Sequence, residues 1–189
     1  MDALALLIAD HNRVRGLFAR YEEAHDDGNL DEAAKLVAKI VEELDIHMTI
    51  EEAVFYPAVH ELKQEIADSV EEGVEEHHVA KVLIKELGSL PPTDNSWTAK
   101  VTVLIESVEH HIDEEEEELF PHVRGASNVA WLRVVAARLE KKKKELGAPV
   151  LADKIDMPKS ELEALARAQQ IPGRSSMDQE HLAATVSPS

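Results

Sequence analysis

The chain has 189 residues, with 38 acidic against 20 basic side chains and a formal net charge of −18. The acidity is concentrated: residues 1–125 carry 30 acids against 10 bases and residues 126–189 carry 8 against 10, so the main body repels phosphate and nucleic acid is not an expected partner. Cysteine is absent, which excludes disulfides, thiolate metal sites and thiol catalysis and fits a reducing compartment. A 31% charged share, 4% aromatics and seven glycines describe a helical bundle. No apolar run approaches about 18 residues, so no membrane span is expected. The apolar start, Met1–Ile8, lacks a basic region and runs into Asp10-His11, so it does not read as a signal peptide, and a cytoplasmic location is expected.

In chain order, Leu4, Leu7, His11, Val14, Phe18 and Tyr21 mark one face of a helix from about residue 2 to 27, stopped by Gly28-Asn29. A second helix starts with Asp31 as cap. Its inner face runs through Leu36, Ile40, Leu44, His47, Glu51 and Val54, until Pro57 bends or ends it. A third spans about 69 to 87 and closes at Gly88. After the loop 89–96, a fourth runs from about 97 to 123, past Pro121, and ends at Gly125. Four long helices with short links predict an all-α, up-down-up-down antiparallel four-helix bundle. A fifth helix follows with Ser127 or Asn128 as cap, and Trp131, Val134, Val135, Arg138 and Leu139 along it. Its terminal Lys141–Lys144 run suits the negative end of the helix dipole. Gly147-Ala148-Pro149 reads as a linker. Beyond it come a short helix capped by Ser160, a turn at 171–175 and a second short helix from 177 to 184.

A motif occurs twice within the bundle. His47-x-x-x-Glu51-Glu52 leads to Phe55-Tyr56-Pro57, and His111-x-x-x-Glu115-Glu116 leads to Leu119-Phe120-Pro121. Ahead of each copy stands one further histidine after an acid, Asp10-His11 and Glu76-His77, with apolar residues at the same offsets. A repeat of this kind fixes architecture before any single residue does. Positions i and i+4 share a helix face roughly 6 Å apart, so His47 with Glu51 and His111 with Glu115 project together into the core, joined by His11 and His77. Buried carboxylates close to one another are costly without a positive partner. Two sets of two His and one Glu with open positions suit non-haem iron, and such sets also suit zinc. His77 is preferred to His78 because it alone reproduces the His11 spacing. His78 and His110 are expected at the surface, and of the run Glu114–Glu118 only Glu115 is expected to turn inward. Tyr56 points away on ideal helix geometry, and a distortion at Pro57 would bring it to the site as a weak ligand or hydrogen-bond donor.

These elements, over residues 1 to about 123, resemble the hemerythrin-like proteins of the HHE cation-binding family. The resemblance implies a four-helix bundle holding two iron ions in an oxo- or hydroxo-bridged di-iron centre, with His11, His47, Glu51, His77, His111 and Glu115 as metal ligands. Oxygen-carrying hemerythrins place an additional histidine four residues before the third-helix histidine, where this chain has Gly73. They also end with an aspartate at +5, where this chain aligns Glu115 at +4, with Glu116 at +5 as the fallback. The site thus has one imidazole fewer, and an open position favours reaction over reversible carriage. The expected organisation is a bundle at 1–125, an additional helix packing on or extending it at 126–148, and a linker with a small helical tail at 149–189. The tail resembles the N-terminal motif of transcription terminator Rho and related SAP-like modules. Residues 151–189 carry 4 bases against 6 acids, which favours a protein partner for it over nucleic acid.

The functional expectation is a di-iron protein that reacts with a small oxidant or diatomic ligand, first of all hydrogen peroxide in a catalase-like decomposition. The alternative is non-enzymatic sensing of oxygen or nitric oxide, or iron binding, signalled through the tail. A structural bundle holding zinc or no metal is the third reading.

Overall fold

The computed structural model describes residues 1–147 and 159–168, and every described secondary-structure element is helical. Helix α1 spans Ala3–Asp26, with the Asp2 carboxylate accepting from the Ala5 N–H as N-cap. Gly28, at φ 68°, turns the chain through a left-handed conformation that only glycine adopts without strain. Helix α2, Leu30–Ile50, is capped by the Asn29 side chain. Asp31, expected as the cap, sits instead in the first turn, where an acid still favours the helix dipole.

The chain then widens into a π turn at Glu51–Phe55 and closes with the short α3, Tyr56–Val59. Helix α4 runs from Gln64 to Leu87, five residues earlier than its apolar pattern begins. Asp94 caps α5, Asn95–Glu114. A second π turn at Glu115–Leu119 leads into α6, Phe120–Ala126, so Gly125 lies within the last turn rather than ending it. Asn128 caps α7, Val129–Glu145, by accepting from the Trp131 N–H at 2.9 Å. Helix α8 spans Lys159–Ala168. The turn at 171–175, the helix at 177–184 and residues 148–158, with the expected linker beyond Gly147, lie outside the described residues.

Helices α1, α2, α4 and α5 make the four-helix bundle, with α1 packed on α2, α4 on α5, and α1 also on α5. Both π turns start at the glutamate of a His–Glu i,i+4 pair and end at the residue before an aromatic-proline step. Proline has no N–H to give the carbonyl four residues back, and its ring crowds that carbonyl. The chain answers by letting the preceding residue reach one step further: the Tyr56 N–H donates to the Glu51 carbonyl, and the Phe120 N–H to the Glu115 carbonyl. One extra residue per turn rotates everything after it about the helix axis.

The core divides into two apolar clusters. One holds Leu4, Leu7, Ile50, Phe55, Ile66 and Phe120 together with Leu132, Val135 and Leu139 of α7. The other holds Leu17, Phe18, Leu36, Ile40, Trp97 and Leu104. Helix α7 therefore seals one end of the bundle, packing on α1, α2 and the first π turn. Val134 faces out. Helix α8 packs on α1, with Arg167 3.5 Å from Glu23.

Leu139 is fully buried in the end cluster. Leu139→Ala is expected to lower stability by about 2–5 kcal/mol, read as a lower urea midpoint at unchanged m-value. A midpoint that does not move would mean that α7 contributes nothing to the fold.

Candidate metal centre

Between the two apolar clusters lies a layer of polar side chains. Each bundle helix gives one buried imidazole: His11 from α1, His47 from α2, His77 from α4 and His111 from α5. The i,i+4 spacing adds Glu51 to His47 and Glu115 to His111, and both carboxylates are buried. All six residues singled out in the sequence meet in this layer.

The imidazoles stand in two pairs. His11 Nε2 is 3.1 Å from His47 Nε2, and His77 Nε2 is 3.1 Å from His111 Nε2. The two glutamates run between the pairs. Glu51 Oε2 lies 3.2 Å from His47 Nε2 and 3.4 Å from His77 Nε2. Glu115 Oε2 lies 3.3 Å from His11 Nε2 and 3.8 Å from His111 Nε2. Each carboxylate thus touches one member of each pair.

The far sides of the rings decide what the near sides offer. His11 Nδ1 is 2.8 Å from Glu116, His77 Nδ1 is 3.0 Å from Glu52, and His111 Nδ1 is 2.7 Å from Glu76. Each of these Nδ1–H groups donates to a carboxylate, which leaves Nε2 as a lone pair directed at the centre. Glu116 corrects the expectation that only Glu115 of its run turns inward. It holds His11 from behind and is itself held by Arg15 at 3.1 Å. The i,i+4 rule could not reveal it, because it serves a ring on another helix. Glu52 is held in the same way by Lys81 at 2.5 Å. His78 and His110 are exposed, as the sequence suggests; His25, His60 and His122 lie outside the layer, and His181 falls outside the described residues.

Ring nitrogens 3.1 Å apart with carboxylate oxygens alongside form donor groups that could hold a cation. Both oxygens of Glu51 and Oε2 of Glu115 are buried without a hydrogen-bond partner. A proton is a poor answer for the second pair: burial, then the charges of His111 and His47, hold the pKa of His77 down to about 2. Burial and then the charge of Glu115 push Glu51 well above the ordinary carboxyl range. For Glu115 burial is outweighed by His111 and His11, which hold it well below that range. A metal ion fits the geometry directly, since two nitrogens about 2.1 Å from an ion at right angles lie about 3 Å apart. Two overlapping donor sets result: His11, His47, Glu51 and Glu115, and Glu51, His77 and His111.

Tyr56 stands beside the second set. The π turn rotates this side chain inward, where it is buried. Its hydroxyl donates to Glu115 Oε1 at 3.1 Å and lies 3.5 Å from His77 Nε2, and its ring stacks on His77. The inward position is the distorted-helix outcome, not the ideal-helix one. Phe120 is its counterpart in the second repeat and stacks on His11 in the same manner, without a hydroxyl to offer. Gly73 makes room for the phenol: a Cβ at that position would stand 2.8 Å from the Tyr56 hydroxyl.

Two cavities reach this layer. One is lined by Ser69, Glu72, Gly73, Glu114 and Glu118 and ends on Tyr56, His111 and Glu115. The other is lined by Leu44, Met48, Ala80, Val108 and Ile112 beside His47, His77 and His111.

Among known proteins, the hemerythrin HHE cation binding domain matches residues 2–123. The chain is 27% identical over 124 residues to a DNA nickase of Nostoc sp., covering 66% of this chain and 34% of the relative. It is 28% identical over 116 residues to an uncharacterized hemerythrin-like protein of Schizosaccharomyces pombe, covering 61% and 56%. The chain thus spans between a third and a little over half of these curated relatives. The crystal structure of a hemerythrin HHE cation binding domain-containing protein from Mycobacterium kansasii shares the fold, with a TM-score of 0.64 at 24% identity over 89% of this chain and 99% of that one.

Because the Tyr56 hydroxyl fills the space over Gly73, Gly73→Ala is expected to destabilise the protein by about 1–3 kcal/mol through overpacking. Adding Tyr56→Phe should recover at least half of that loss. Urea unfolding of the double-mutant cycle checks it, and strictly additive effects would show that the two positions do not touch.

Proposed function

The chain belongs to the hemerythrin family of HHE cation-binding domains, and from that premise we propose that it holds two iron ions and decomposes hydrogen peroxide. The ligands are His11, His47, Glu51 and Glu115 on one side and Glu51, His77 and His111 on the other, with the Tyr56 hydroxyl beside the second set. When bound, the two ions supply the electrons that reduce one peroxide to water and regain them from a second, which leaves as dioxygen.

One observation carries the peroxide reading. The set with the single carboxylate, Glu51 with His77 and His111, ends at a hydroxyl, and that hydroxyl lines the polar cavity. Peroxide is a small polar molecule that must exchange protons as it is reduced and oxidised. The Tyr56 O–H donates toward Glu115 and can orient a bound oxygen atom at the same place. Burial and the charges of Glu115 and Glu51 raise the Tyr56 pKa well above its ordinary value, so the phenol is a hydrogen-bond donor rather than an anion within the protein's own field.

The second reading is sensing of oxygen or nitric oxide, and the apolar cavity beside His47, His77 and His111 favours it. It would use α8, which packs on the helix that carries His11. DNA cleavage, in the name of the Nostoc relative, is not proposed for this chain. An excess of 20 acids over bases in residues 1–125 repels the DNA backbone.

Protein purified without added metal is expected to contain about two irons per chain and to evolve dioxygen from peroxide. His77→Ala or Glu115→Ala should cut that turnover by at least about 100-fold, beyond the roughly 10–100-fold that losing an outer partner of a ligand costs. Iron-loaded protein that binds nitric oxide, shows negligible turnover and alters hydrogen exchange in α8 would favour sensing. Colourless protein that iron(II) cannot load would end both readings.

A further inference from the structure

The two repeats place an acid directly before their first histidine, and each acid faces Nδ1 of the second histidine of its own repeat. Glu76 does so closely, with Oε2 2.7 Å from His111 Nδ1. Asp10 does not. Its Oδ2 stops 3.8 Å from His47 Nδ1, and both atoms are buried without a hydrogen-bond partner. Aspartate is one methylene shorter than glutamate. Its other oxygen, Oδ1, is 2.5 Å from the ammonium of Lys143. Among the described residues no lysine or arginine is paired with Glu76, whose contact beyond His111 is His110 at 4.0 Å.

Lys143 comes from α7, outside the residues that match the family domain. Of the four consecutive lysines it alone is buried, at 5% exposure, while Lys141 and Lys142 approach Glu145 near the surface. A lysine placed only to suit the helix dipole would stay in water, since burying a charge costs several kcal/mol unless it is well paired.

We propose that Lys143 is a positioning residue that makes the two metal positions unequal. It draws the Asp10 carboxylate away from His47 and so weakens His47 as a ligand relative to His111. A carboxylate accepting from Nδ1–H makes the opposite nitrogen a better metal donor. Three of the four imidazoles have that support at hydrogen-bond distance, and His47 has had it taken by an ammonium. The inference rests on the paired-metal reading above.

Anaerobic titration of the full chain with cobalt(II), followed by its visible absorption, gives two stepwise constants without invoking redox chemistry. In Lys143→Met, Asp10 is free to turn to His47. One stepwise constant should tighten by about tenfold, within the range for changes to outer partners of a ligand, and the other should stay within twofold. In an Asp10→Asn background the same Lys143→Met change should leave both constants within twofold. Asp10→Glu, long enough to reach His47 while keeping Lys143, should tighten the same constant, and it carries the test if Lys143→Met fails to fold. Unchanged constants in Lys143→Met, or in Asp10→Glu where Lys143→Met cannot be made, would overturn the proposal. So would a change that persists without the Asp10 carboxylate, which would mark Lys143 as merely structural. Wild-type protein that takes up fewer than two cobalt ions would instead fail the paired-metal reading itself.

Discussion

Hydrogen-bond acceptors that converge with too few donors are the condition on which the rest of this molecule is arranged. Four imidazole nitrogens and two carboxylates meet in one buried layer, and the chain offers that layer no positive charge of its own except through protons. Outward from it the charges alternate. Behind His11 and His77 stand Glu116 and Glu52, and behind those stand Arg15 and Lys81. Apolar clusters close the layer above and below, so water reaches it only through the two cavities. Hydrogen bonds of this kind are strong where the dielectric is low, and an unfilled member of such a network is correspondingly costly.

The two-helix repeat explains why the outer partners look alike. Arg15 stands four residues after His11 and Lys81 four after His77, each holding the glutamate that supports the nearby ring. Both repeats place a π turn between glutamate and proline, and both swing an aromatic ring onto a histidine of the other repeat. The symmetry breaks where chemistry is to be expected. Tyr56 adds a hydroxyl on one side that Phe120 lacks on the other. Asp10, shorter than Glu76, is met by a lysine from a helix that stands outside the repeat.

The layer of histidines and glutamates was legible in the sequence because it obeys a local rule. Histidine and glutamate four apart must share a helix face, and the repeat supplied the remaining two rings by analogy. What escaped was non-local or non-ideal. Glu116 and Glu52 reach rings on other helices, so their own helical phase makes them look solvated. Lys143 sits among three other lysines and differs from them only in what faces it across α1. Tyr56 was legible only as an alternative: it lies out of phase on an ideal helix and comes in through the widened turn that Pro57 signals. The start of α4 was hidden because Gln64–Asp68 is largely polar and Lys63 provides no side-chain cap.

The close approach of Tyr56 to Gly73 also restricts how such a site can change over time. In the oxygen-carrying proteins that the sequence resembles, the place of Gly73 belongs to a histidine. Here the phenol occupies the volume that any side chain at that position would enter. The imidazole and the phenol are therefore mutually exclusive tenants of one space, and the exchange takes two substitutions. Introducing the tyrosine first would crowd two side chains into it, whereas clearing position 73 first leaves only a gap that water can fill. The passable route between a carrier-like and a tyrosine-bearing site thus runs through the glycine.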